Sequence, residues 1–163
     1  CIRGHRRIAA LIDETEDHSI GELRFRGYKA ALAEHGIPYD PALVECVHGF
    51  DMENAYQGTL RLLDRARDFT ALFALSDLMG MAAIKALHQR RKRVPEDCSV
   101  IAIDGLDISR YIIPTLATME QPAENLAEES VRILVDLIEG KGGNRHVVMS
   151  TRLRAGASIR SIE

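Results

Sequence analysis

Four apolar runs, each the length of a strand and each closed by a polar residue, recur along this chain with a helical period between them. They are RIAALID (7–13), ALVECVH (42–48), TALFALS (70–76) and SVIAI (99–103). Apolar runs of this kind suit strands buried on both faces, which occur where helices cover a sheet from both sides. Between them, 21–36, 51–68 and 77–93 read as helices, and 123–140 follows as a fourth. Strand and helix taking turns predicts an α/β fold: a parallel sheet flanked by helices on both faces.

The helical segments carry their own signals. In 21–36, Leu23, Gly27, Ala30 and Ala31 share a face that Tyr28 and Leu32 widen, and Gly36 then Pro38 stop it. Asp51 is placed to cap the second helix, in which Met52, Ala55, Tyr56, Thr59, Leu60 and Leu63 recur at helical spacing. The third ends in the turn VPED (94–97), and Gly140 stops the last. ATMEQP (117–122) reads as a short fifth strand, 146–158 as an extended terminal segment, and GKGGN (140–144) as a flexible loop.

With 163 residues the chain is long enough for one substantial core, and 46% apolar against 28% charged residues is an ordinary globular balance. A net charge of -3 supplies no field favouring nucleic acid or a membrane surface. No apolar run approaches the roughly 18 residues of a spanning helix, and the basic start CIRGHRRIAALID lacks the pattern of a signal peptide. The start without Met reads as a fragment or a processed piece. Cys1, Cys46 and Cys98 are odd in number and form no CxxC, which suits a reducing cytoplasm.

In open α/β sheets ligands bind outside the carboxyl ends of the strands. The residues there form a consistent set: Asp13 with a loop leading to Arg24, then Phe50, then Ser76 and Asp77, then Asp104, and near the fifth strand Gln121. Carboxylates accept from hydroxyls, an Arg donates in a fixed fork, a Gln does both, and an aromatic face covers a ring. That describes a polar binding cleft with no nucleophile. Taken singly, each acid could merely cap the helix that follows it.

Other chemistries fall away. The six His show no metal spacing, so no metal is expected. No GxSxG elbow or Walker sequence occurs, and GKGGN follows a helix rather than a strand, so neither an enzyme nor a nucleotide cofactor is indicated. QRRKR (89–93) reads as a solvated helix end, and Cys98 as a small buried residue.

The stretch from FTALFALSDLMGMAAIKALHQ through RVPED, SVIAIDG and YIIPTLATMEQP to the last helix resembles the C-terminal part of LacI/GalR-type transcriptional regulators. GHRRIAALI and LRFRGYKAALAEHGI match the upstream pattern. The resemblance implies one lobe of a periplasmic-binding-protein-like core, in which a small effector, a sugar or a nucleobase, binds between two lobes. Residues 1–122 would form the C-terminal lobe. Residues 123–145 would be a crossover helix and loop packing on the N-terminal lobe, and 146–163 a terminal extended segment.

Carried over residue by residue, Arg24, Phe50, Asp104 and Gln121 fall at effector-contacting positions, and Ser76-Asp77 stands where the family has Asn-Asp. Gly105 replaces a second Asp. Met81, Tyr111 and Ile112 fall where the lobe forms its dimer contact, or else are core packing. The resemblance implies a cytoplasmic homodimer reaching operator DNA only through an N-terminal helix-turn-helix that this sequence does not contain. The stripe Ala127, Val131, Leu134, Leu137 and Ile138 would pack on the other lobe. The alternative is a fragment of a periplasmic sugar-binding protein of an ABC transporter; an enzyme using Asp13, Asp77 or Asp104 as a base lacks any partner group.

Overall fold

A computed structural model describes residues 4–13, 19–66, 68–143 and 145–162. Its strands are β1 (Ile8–Asp13), β2 (Val44–Val47), β3 (Ala71–Ala74), β4 (Ser99–Asp104), β5 (Ala117–Glu120) and β6 (Arg152–Arg154). Its α-helices are α1 (Ile20–Glu34), α2 (Met52–Arg65), α3 (Asp77–Gln89) and α4 (Ala123–Ile138). The strands form one sheet in the order β2-β1-β3-β4-β5-β6, with β1 to β5 parallel. The expected α/β class and the parallel sheet are therefore what the chain forms. The terminal segment, expected only to be extended, adds β6 antiparallel to β5, pairing Arg152 with Glu120 and Arg154 with Thr118.

The register assigns the helices to faces. Ala10 pairs with Phe73 and Phe73 with Ile101, so these side chains share one face. Tyr28 of α1 stacks on Phe73 at 6.0 Å, and its hydroxyl donates to the Ile8 carbonyl at 2.7 Å. Leu11 points to the other face, where a Cβ on Gly58 of α2 would meet Leu11 at 3.3 Å and Val47 at 2.4 Å. Only a glycine lets α2 lie this close to the sheet. Ala102, also on that face, meets α3 at Gly80. One face thus carries α1, and the other carries α2 and α3 side by side.

Serine and aspartate start α1, α2 and α3, as their short oxygens allow. Ser19 accepts from the Glu22 amide, Asp51 from the Asn54 amide and Ser76 from the Met79 amide, at 3.0, 2.9 and 3.3 Å. The core runs through Leu11, Leu62, Leu72, Leu75, Met79, Leu87, Val100 and Leu116, all buried.

Two expectations about faces need correcting. In α1 the buried positions are Gly21, Tyr28 and Leu32, whereas Leu23, Gly27, Ala30 and Ala31 face solvent. The aromatic pair Phe25 and Tyr28 reaches the sheet, and its larger area outweighs that of the small residues. In α2, Met52 is exposed while Gly58 and Leu62 are buried. The basic run lies past the end of α3 rather than in its last turn. Arg90 pairs with Asp64 and Arg93 with Asp97, and Lys92 lies 6.0 Å over Phe69.

Helix α4 stands apart. None of its residues is buried, and Val131, Leu134, Val135, Leu137 and Ile138 are all exposed, the expected stripe among them. It does not pack on this chain's own sheet.

Candidate functional site

The polar side chains gather where the parallel strands end. β4 finishes in Asp104, whose φ of +127° is one that L-residues rarely adopt, followed by Gly105 at +82°. Such a conformation costs on the order of 1–3 kcal/mol and persists only where neighbours hold it. The neighbours are visible. The Gln121 amide donates to the Asp104 carbonyl at 3.1 Å, closing β5 onto the turn. In this turn conformation position 105 has no room for a side chain: a Cβ there would sit 2.8 Å from Glu120 Cα and 2.5 Å from its Cγ.

The strained turn aims the Asp104 carboxylate at two donors. Arg24 Nη2 donates to Oδ1 at 2.9 Å, and Gln121 Nε2 donates to the same oxygen at 2.8 Å. Arg24 also donates through Nη1 to the Leu75 carbonyl at 2.5 Å, and its guanidinium carbon lies 5.9 Å from the centre of the Phe50 ring. Both the Arg24 and Asp104 side chains stay partly exposed. Phe50 is half-buried against the core, in a turn tied down by Asp13, whose Oδ1 accepts from the Gly49 amide at 2.7 Å. Four expected site residues, Arg24, Phe50, Asp104 and Gln121, thus form one connected cluster.

Ser76 and Asp77 do not join it. Ser76 is buried and its hydroxyl caps α3. Asp77 has 0% exposure, and its carboxylate is spent inside the protein. Thr118 Oγ1 donates to Oδ1 at 2.5 Å, while the Leu106 amide and Ser109 Oγ donate to Oδ2 at 2.7 and 3.0 Å. Arg154 stands 3.9 Å away. Sequence reasoning missed Thr118, Ser109 and Arg154. Their role rests on pairing between segments far apart in the chain, which carries no local signal.

Beside Asp104 opens a cavity of about 650 Å³, lined by Asp104, Gly105, Glu120, Gln121, Asn125 and Arg152 among others. Arg152 bonds Glu120 at 2.8 Å, and this hydrogen bond is the main reason the Glu120 carboxyl is held below the usual carboxylate range. Asp107 and Glu124 add further acidic lining.

Residues 2–159 match the periplasmic binding protein-like domain family. Relatives and solved structures specify the branch. The chain is 39% identical to the HTH-type transcriptional regulator MalR of Clostridium butyricum, over 87% of this chain and 42% of the relative. It is also 39% identical to the regulator CelR of Thermobifida fusca, over 85% and 40%. Its fold superposes on the structure of a CelR–cellobiose complex with a TM-score of 0.89 at 37% identity, covering 95% of this chain and 47% of that one. The chain belongs to the periplasmic binding protein-like family, in the form carried by LacI-type regulators. A LacI family regulator from Enterococcus faecium with bound ribose gives the same TM-score at 30% identity, covering 99% and 59%.

This chain spans less than half the length of those two regulators. The relatives are transcriptional regulators, not enzymes. Among the described residues no helix is long and apolar enough to cross a membrane. Of the three residues placed at a dimer contact, Met81 is buried in the core and Ile112 packs half-buried against it. Tyr111 alone of the three projects, at 83% exposure, beside Ile113 at 90%.

Proposed function

We propose that this chain is the sensing half of a cytoplasmic LacI-type regulator. It binds a neutral sugar at the Arg24–Asp104–Gln121 cluster and so changes the affinity of a dimer for operator DNA. The connected cluster carries the reading. A carboxylate offers about four acceptor positions and Asp104 Oδ1 uses two, which leaves Oδ2 for ligand hydroxyls. Arg24 has N–H groups beyond the two already engaged, and Phe50 presents a ring face beside them. The acidic lining of the adjoining cavity disfavours phosphorylated or carboxylated ligands. CelR in complex with cellobiose and the Enterococcus regulator with ribose are relatives whose bound molecules fit this chemistry.

Effector and operator would bias one equilibrium between lobe arrangements, each changing the other's affinity by the same factor. The exposed α4 stripe suits packing on the remaining lobe, and Tyr111 with Ile113 suits a second copy. Calorimetry on the full-length protein against cellobiose, maltose, ribose, glucose 6-phosphate and hypoxanthine tests the reading. A neutral sugar is expected to bind, and Asp104→Ala to weaken it at least 30-fold. Binding of the phosphate or the purine alone, or a sugar affinity unmoved by Asp104→Ala, would overturn it.

A further inference from the structure

The buried carboxylate of Asp77 has no exposure to any cleft, yet it lies at the centre of the polar network beneath one. Its placement traces a closed circuit. Arg24 Nη1 bonds the Leu75 carbonyl, and the chain runs from Leu75 through Ser76 to Asp77. Asp77 Oδ2 takes the Leu106 amide, the chain runs back through Gly105 to Asp104, and Asp104 Oδ1 takes Arg24 Nη2. The circuit contains the partly exposed charges of Arg24 and Asp104 and two consecutive residues with positive φ, Asp104 and Gly105.

Asp77 is the circuit's most heavily bonded member. Thr118 Oγ1 fixes its Oδ1 to β5, and Ser109 Oγ adds a second donor on Oδ2. The one Ser109 hydroxyl proton is shared between Asp77 Oδ2 and the Leu106 carbonyl, and the Ser109 oxygen accepts from Arg154 Nη2; Arg154 also donates to the turn, through Nη1 to the Gly105 carbonyl and through Nη2 to the Leu106 carbonyl. Around a buried carboxylate every donor counts, because an unmet charge there is expensive. The donors that meet it tie the turn after β4 to α3 and β5. The turn's one amide donor to Asp77, Leu106 N, lies two residues from the strained Asp104.

We infer that Asp77 is a positioning residue for the effector site. It clamps the 104–106 turn in its strained form so that Asp104 meets Arg24, Gln121 and the ligand in one orientation. The inference rests on the sugar-sensing reading of the Asp104 cluster. Asp77 touches no ligand. Asp77→Asn keeps the shape but puts an amide donor among donors, so the turn relaxes and Asp104 swings away.

The test is a double-mutant cycle in the full-length protein, with the tightest-binding neutral sugar of the panel above as probe. Asp77→Asn is expected to weaken the probe at least 10-fold in the wild-type background and less than 2-fold on top of Asp104→Asn, because its effect passes through Asp104. Hydrogen exchange without sugar should show residues 104–111 exchanging faster while α2 stays protected. Equal losses in both backgrounds, as general destabilisation would produce, overturn the inference, and so does unchanged affinity. Where Asp104→Asn binds too weakly to titrate, unaltered exchange at 104–111 overturns it. Should Asp77→Asn fail to fold, Ser109→Ala and Thr118→Val each remove one donor, and affinity that neither lowers refutes the clamp. If no neutral sugar binds the wild type, the sugar reading itself falls and takes this inference with it; binding with an additive cycle sinks the inference alone.

Discussion

Replacing Gly105 with alanine should be among the most damaging single-methyl changes in this protein. Two effects add. At φ +82° an L-residue pays about 1–2 kcal/mol that glycine does not. The new Cβ would also lie 2.8 Å from Glu120 Cα and 2.8 Å from Glu120 Cβ, roughly an ångström inside normal contact distance. Glu120 Cα is backbone in β5, paired on one side with Asp104 and on the other with Arg152, so it cannot rotate aside as a side-chain tip could. Overpacking of this kind costs about 1–3 kcal/mol. The sum is about 2–5 kcal/mol, which at a urea slope of about 2 kcal/mol/M lowers the midpoint by about 1–2.5 M. Gly27 is the internal control. It sits on the solvent face of α1 with nothing within 4 Å of an added methyl, so Gly27→Ala should raise stability by about 0.5–1 kcal/mol. Urea unfolding followed by far-ultraviolet circular dichroism measures both. A loss below about 1 kcal/mol for Gly105→Ala would refute the argument, because the turn would then have a second conformation of nearly equal energy.

Two further outcomes follow from buried titratable groups. Burial pushes the Cys98 thiol up to about 12, so at pH 8 iodoacetamide should modify exposed Cys46 while sparing Cys98 until urea unfolds the chain; equal labelling rates in the native protein would contradict this. His5, buried between Thr70 and the Arg160 carbonyl, has its pKa lowered below 6.5, chiefly by burial. The unfolded chain therefore binds the proton more readily, and the stability His5 contributes is complete above pH about 6.5 and declines as pH falls toward the folded value. His5→Gln should flatten the decline of the urea midpoint between pH 6.5 and 5, and an identical slope in the variant would count against the assignment.

Much of the candidate site is legible in the chain itself. Asp104 and Gln121 were legible because strand ends in a parallel sheet share an edge, so the residue after each apolar run has its address set by the run itself. Arg24 and Phe50 follow the first and second runs by the same logic, and the family resemblance implies an effector contact at all four positions. Asp77 stands at a strand end by the same logic, but its carboxylate turns inward. Whether a strand-end acid faces the cleft or the core depends on which donors arrive from elsewhere. Leu106, Ser109 and Thr118 arrive from 29 to 41 residues away in sequence.

The same division holds for the fold. The apolar runs and helical periods by themselves determined the alternating order of strands and helices and the α/β class, because burial on both faces leaves a strand few alternatives. Helix faces were less legible. In α1 a small-residue stripe competed with an aromatic one, and only the position of Phe73 across the sheet decided which side turned inward. The antiparallel β6, the strained turn at Asp104 and the hydrogen bonds gathered on Asp77 were settled by tertiary structure alone. Each depends on groups distant in sequence meeting at hydrogen-bond range, and a local pattern holds no record of that encounter.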